Sequence, residues 1–126
     1  MRAILVLLLA AALLSAAEWN GYERRDFQVD GGAGYVVLPR AAAAGKPWLW
    51  RARFPGFHPE AAIGLLAKGY HVAYFDLPNI FGSPRAVAAW DRFYAHVRRE
   101  FGLAEKVALE GVSRGGLFVY NWAAKN

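Results

Sequence analysis

Two rhythms of apolar positions alternate along this chain. Short apolar runs of strand length occupy residues 22–30, 34–39, 47–53 ("PWLWRAR"), 71–77 ("HVAYFDL") and 106–112 ("KVALEGV"). Gly31-Gly32 separates the first two runs and predicts an antiparallel pair. The runs at 71–77 and 106–112 are apolar with little interruption, as strands covered on both faces of a parallel sheet are. Between the runs the period lengthens to that of a helix. Residues 59–68 form one such stretch, ended by Gly69. A second starts at Ser83, which can cap, with Pro84 suited to the first turn and Gly102 placed to end it. Within it Val87, Trp90, Tyr94, Val97 and Phe101 recur every three or four residues and mark one apolar face. A third helix is predicted over residues 115–124. Strands alternating with helices predict an α/β fold, a mostly parallel sheet with flanking helices.

Composition supports a folded domain. The chain has 126 residues, enough for one domain with a core, and 56% hydrophobic content excludes disorder. Five Trp, six Tyr and eight Phe must be covered. The first 17 residues read differently. Met1-Arg2 is a basic start, residues 3–14 are almost wholly apolar, and Ser15-Ala16-Ala17 supplies the small residues of a signal-peptidase site. This predicts a signal peptide over 1–17, cleaved before Glu18, a domain over 18–126, and a secreted or periplasmic protein. The apolar run is shorter than the roughly 20 residues a spanning helix needs, so no stable membrane insertion is expected after cleavage. A retained interfacial anchor is the alternative. The absence of cysteine excludes disulfides, thiolate metal sites and lipid attachment at the leader.

The formal charge is +5, and eleven of the fifteen basic residues are Arg. Only Arg24-Arg25 and Arg98-Arg99 are adjacent, and no basic stripe interleaved with aromatics appears, so no nucleic-acid partner is expected. An anionic substrate fits the charge. The Ala-rich stretch at 41–46 fails as a phosphate loop, because Arg40 and Pro47 stand where a glycine and a Ser or Thr are required.

The most specific chemistry lies in "LEGVSRGGLF", residues 109–118. Ser113 sits between Gly111 and Gly115, directly after a buried strand and before a helix. Such a strand-to-helix turn crowds the serine, flanking glycines relieve the crowding, and the hydroxyl is lifted clear as a nucleophile. The helix N-terminus favours developing negative charge, and the backbone N–H of Arg114 is placed to receive it. A serine that merely starts a helix is the plainer alternative.

With these residues in view the chain resembles the α/β-hydrolase family from about Tyr22 to its end. The five runs look like that family's first five strands, with the nucleophile after the fifth. Residues 76–83, "DLPNIFGS", look like the Asp-rich, Gly-Ser loop that often follows its fourth strand. The phrases "LEGVSRGG" and "PWLWRARF" are similar to exported bacterial hydrolases of the esterase or prolyl-oligopeptidase-like kind. The resemblance implies no metal and no organic cofactor. It implies a second oxyanion donor in the loop after the third strand, here Arg53-Phe54-Pro55-Gly56-Phe57. Pro55 has no N–H, which leaves Phe54 as candidate and Arg53 in reserve.

The family's acid and histidine follow the serine, yet residues 114–126 contain no Asp, Glu or His. Of the earlier histidines, His71 opens a strand and reads as structural. His96 lies near Arg92, Arg99 and Glu100 and reads as solvated, and His58 is the one able to approach the site. The expectation is therefore the N-terminal part of a hydrolase, truncated after the nucleophile helix. Two features agree with it: a last helix apolar nearly all round, and a fifth strand left at a sheet edge. Arg51 and Arg53 on a central strand and Glu110 on its neighbour predict an ion pair beneath the catalytic turn. Arg53 or Arg114 is also placed to receive a substrate carboxylate. The function expected is a serine hydrolase cleaving a small-molecule or polymer-borne ester through an acyl-enzyme on Ser113. A non-catalytic remnant or binding module of the same fold is the rival.

Overall fold

Two dipeptides set the N-terminal architecture. Asn20-Gly21 and Asp30-Gly31 all have positive φ, at 48°, 83°, 48° and 77°. Those values suit two-residue hairpin turns whose twist matches the flanking strands. In the computed structural model, which describes residues 15–77 and 82–126, they join β1 (Ser15–Trp19), β2 (Tyr22–Val29) and β3 (Gly32–Val37) into an antiparallel meander. The chain continues through β4 (Trp48–Ala52), α1 (Glu60–Ala67), β5 (His71–Asp76), α2 (Pro84–Phe101), β6 (Ala108–Gly111) and α3 (Gly115–Lys125).

The strands form one sheet in the order β1-β2-β3-β5-β4-β6. It is mixed, which corrects the expectation of a mostly parallel sheet: β3 pairs antiparallel with β5, and only β4 lies parallel to its neighbours β5 and β6. The reason is connection length. Two-residue turns force β1, β2 and β3 antiparallel, the 38–47 connection reverses the chain again into β4, and only the helical crossovers through α1 and α2 return β5 and β6 in the direction of β4.

The sheet also holds six strands where five were expected. The additional one, β1, pairs Ser15 with Asp26 through to Trp19 with Tyr22. It begins within the predicted leader, so cleavage before Glu18 would leave only Glu18 and Trp19 of it. The rest of that leader, residues 1–14, lies outside the described residues, as do residues 78–81 of the loop after β5.

Alternation along β4 explains the two cores. Trp48, Trp50 and Ala52 face α2 and α3, where they join Trp90, Phe93, Phe118 and Trp122. Leu49 faces the other way, with Val37 and Val72, and is covered by Ala62 and Leu66 of α1. Trp50 is the hub of the larger core: its ring stacks on Trp90 at 4.0 Å and meets Phe93 and Trp122 at 5.2 Å each. The helix ends follow the sequence signals. Ser83 Oγ accepts from the Ala86 N–H at 3.3 Å, and Gly102 closes α2 with φ 67°.

The buried His71 titrates below the usual histidine range, because burial disfavours its charged form and Lys46 repels it. His96 is half-buried rather than solvated, since its ring stacks on Phe27 at 4.6 Å and burial pushes its pKa down. No helix among the described residues is long and apolar enough to cross a membrane.

Because Trp50 is fully buried at the centre of this aromatic cluster, Trp50→Ala is expected to cost about 3–5 kcal/mol. Urea unfolding measures this. A loss under about 1 kcal/mol would mean that the larger core is organised elsewhere.

Candidate functional site

Strands β4, β5 and β6 run parallel, so the segments leaving their C-terminal ends gather at one edge of the sheet. Ser113 lies there, in the turn between β6 and α3. The turn is held by three backbone hydrogen bonds: Val112 N–H to Ala52 O at 3.3 Å, Gly115 N–H to Val112 O at 2.8 Å, and Gly116 N–H to Ser113 O at 3.1 Å. Ser113 is exposed and has φ 52°, a left-handed conformation that costs a non-glycine residue energy.

The flanking glycines are required by contact. A Cβ at Gly111 would stand 2.7 Å from Gly116 Cα and 2.8 Å from its N. One at Gly115 would overlap the Ala52 carbonyl oxygen and lie 2.9 Å from its carbon. Both distances are prohibitive. Strand, sharp turn and helix are thus compressed into a space that only glycine permits on either side of the serine.

The end of β4 makes a second left-handed excursion. Arg53 and Phe54 have φ of 64° and 45°, and a Phe57 N–H to Phe54 O bond of 3.0 Å closes the bend. Neither the Arg114 nor the Phe54 N–H donates to a described residue. The Phe54 ring contacts two guanidinium groups, with Arg53 Cζ 5.7 Å and Arg114 Cζ 5.4 Å from its centre. Arg53 Nη1 donates to Leu77 O at 3.1 Å, tying in the end of β5. From the far side of that loop, Gly82 O accepts from Asn121 Nδ2 at 2.7 Å. Sequence reasoning brought Ser113, Arg114 and Phe54 to this edge but missed the Leu77 and Asn121 ties. A polar side chain on a largely apolar helix was the available signal for Asn121.

Beneath the turn Arg51, only 2% exposed, faces Glu110 of the adjoining strand at 3.7 Å. The in-register pairing of these two residues places them side by side. The separation is an ion pair but too long for a hydrogen bond; the Arg51 guanidinium bonds instead to His58 O at 3.3 Å through Nη1. Arg51 therefore links β6 to the bend that follows β4. His58 itself points to solvent beside Glu60 at 3.5 Å. A broad concavity lies elsewhere, lined by Arg24, Asp26, Tyr35, Tyr74 and Asp76 on the meander side. Among the described residues no three His, Asp or Glu side chains gather as a metal set.

Two outcomes follow from these contacts. Gly115→Ala is expected to cost about 1–3 kcal/mol by overpacking against Ala52, whereas Gly116→Ala, with open space around it, is expected to be neutral or stabilising by up to about 1 kcal/mol. Equal effects in thermal unfolding would contradict the contact. Glu110→Gln leaves Arg51 without its counter-charge; the partial exposure of Glu110 reduces the expected loss to about 1–3 kcal/mol, read by urea titration. A change under about 0.5 kcal/mol would show that solvent already neutralises Arg51.

No family model matches this chain, and no curated protein matches it in sequence. Solved structures do match in fold. The native structure of a cold-adapted esterase from an Arctic intertidal metagenomic library superposes with a TM-score of 0.67 at 15% identity, over 89% of this chain and 57% of that one. The zinc-bound structure of a cold-adapted esterase from such a library gives 0.61 at 16%, over 87% and 60%. A PEG-bound complex described in the same terms gives 0.61 at 13%, over 88% and 59%. The chain therefore spans less than two thirds of the esterase structures it resembles. Its mixed six-stranded sheet with flanking helices is an esterase-like fold.

Proposed function

We propose that this chain carries the nucleophile and oxyanion portion of an exported α/β-hydrolase that cleaves carboxylic esters. The observation that carries the reading is Ser113 itself. An exposed serine is held at φ 52° between β6 and α3 by two glycines at which any Cβ would force the backbone to shift. A protein without use for that hydroxyl would relax the turn.

In this reading Ser113 Oγ attacks the ester carbonyl carbon, and its proton passes to a base. The carbonyl oxygen gains negative charge and is stabilised by the N–H groups of Arg114 and Phe54, with Arg53 in reserve. Collapse expels the alcohol, and water then cleaves the acyl-enzyme. The left-handed bend at residues 53 and 54 suits this role, because it turns backbone amides out of the strand ladder. The α3 N-terminus behind the serine adds positive potential.

The base is the missing element. Residues 114–126 hold no Asp, Glu or His, and exposed His58 is engaged by Glu60. The reading assigns the histidine and its carboxylate to chain beyond these residues, in keeping with the partial span of the esterase structures. It also keeps the 1–17 leader as an export signal and requires no metal or organic cofactor. Esters of small molecules or of polymers are the substrates this chemistry serves.

A fluorophosphonate probe, which labels only activated serines, tests the proposal. The natural gene product isolated from its host is expected to label at Ser113 and to lose the label in Ser113→Ala. These 126 residues alone are expected to label no faster than that variant. A folded natural product that stays unlabelled would instead be a non-catalytic member of the fold.

A further inference from the structure

We propose that the site selects esters that carry a second, carboxylate group, held by Arg114 and Arg53. The inference rests on the Ser113 reading for where the scissile bond lies, and on separate observations for the charge. Arg114 directly follows the nucleophile and is exposed, while Arg53 leaves the end of β4 half-buried. Their guanidinium groups approach one ring, that of Phe54, to 5.4 Å and 5.7 Å. Two cations thus converge on one ring, next to the turn that carries Ser113.

Neither has an acidic partner. Arg24, Arg25, Arg51, Arg92 and Arg99 each lie within ion-pair distance of an Asp or Glu; Arg53 and Arg114, like Arg40, Arg85 and Arg98, meet none among the described residues, and these two alone converge on one ring. Residues 78–81, Pro-Asn-Ile-Phe, and residues 115–126 bring no acid either. Asp76, at the end of β5, accepts from the Tyr74 hydroxyl at 3.5 Å and lines the concavity on the meander side. Arg53 spends Nη1 on Leu77 O, and its buried Nε finds no acceptor among the described residues. An unpaired guanidinium edge in a partly desolvated place is a poor structural device and a good carboxylate receptor, because its planar donors match two oxygens. Phe54, 38% exposed, then offers an apolar face beside the cations for the acyl chain.

Two amides that the enzyme cannot readily turn over separate charge from shape: N-butylglutaramate, which ends in a carboxylate, and the neutral N-butylpentanamide. Each is titrated into the chain while backbone amide shifts are followed by NMR. The carboxylate ligand is expected to bind at least about ten-fold more tightly, to move the Phe54 and Arg114 amides, and to weaken as salt rises. Arg114→Gln is expected to remove that advantage. Equal binding of the two amides, no binding of the glutaramate, or an advantage that survives Arg114→Gln overturns the inference. The two proposals fail separately. Fluorophosphonate labelling without anion preference sinks only the present one, whereas anion binding without labelling sinks the hydrolase reading and leaves a carboxylate site.

Discussion

The close approach of Gly115 to the carbonyl of Ala52 is the constraint on which the rest of the site depends. It presses the first residue of α3 against the last residue of β4, two segments more than sixty positions apart in the chain. Because the helix starts so near the strand, the connection from β6 must reverse in three residues, and Ser113 takes the left-handed conformation that such a reversal demands. The same Ala52 oxygen accepts from Val112, which fixes the turn in height as well as in direction. One residue later β4 makes its own left-handed bend. The two strained segments are thus neighbours by construction.

Strain of this kind persists only where the surroundings over-determine it. Here the surroundings are a rigid aromatic core on one face and a buried cation on the other. Trp50 is locked between Trp90, Phe93 and Trp122, so β4 cannot slide to relieve the contact. On the opposite face Arg51 spans from Glu110 to the carbonyl of His58, holding β6 and the bend after β4 in one frame. Packing supplies stiffness, and the ion pair sets register.

Among the described residues Arg24, Arg25, Arg51, Arg92 and Arg99 lie within ion-pair distance of a carboxylate, while Arg40, Arg85 and Arg98 do not. At the site two guanidinium groups, those of Arg53 and Arg114, share an aromatic ring and no acid. Two of the unpaired cations therefore lie together next to the turn that carries Ser113.

The sequence by itself determined a good deal. Helical and strand periods placed α1, α2, α3 and five of the strands within a few residues, because amphipathic spacing, caps at Ser83 and Gly102, and turn glycines are local properties of the chain. It also singled out Ser113 and the arginine–glutamate pair, since glycines around one serine and charges on a central strand are anomalies visible without coordinates. It misjudged the sheet, because direction depends on how each connection returns, and it passed over β1, whose first three residues were assigned to a leader. Only the tertiary structure decided that Phe54 sits between Arg53 and Arg114, that Leu77 and Asn121 tie the loops together, and that His96 is covered by Phe27. Apart from the adjacent Arg53 and Phe54, those are meetings between residues from 24 to 69 positions apart. Where they fall is set by the packing of strands and helices against one another, which no local pattern encodes.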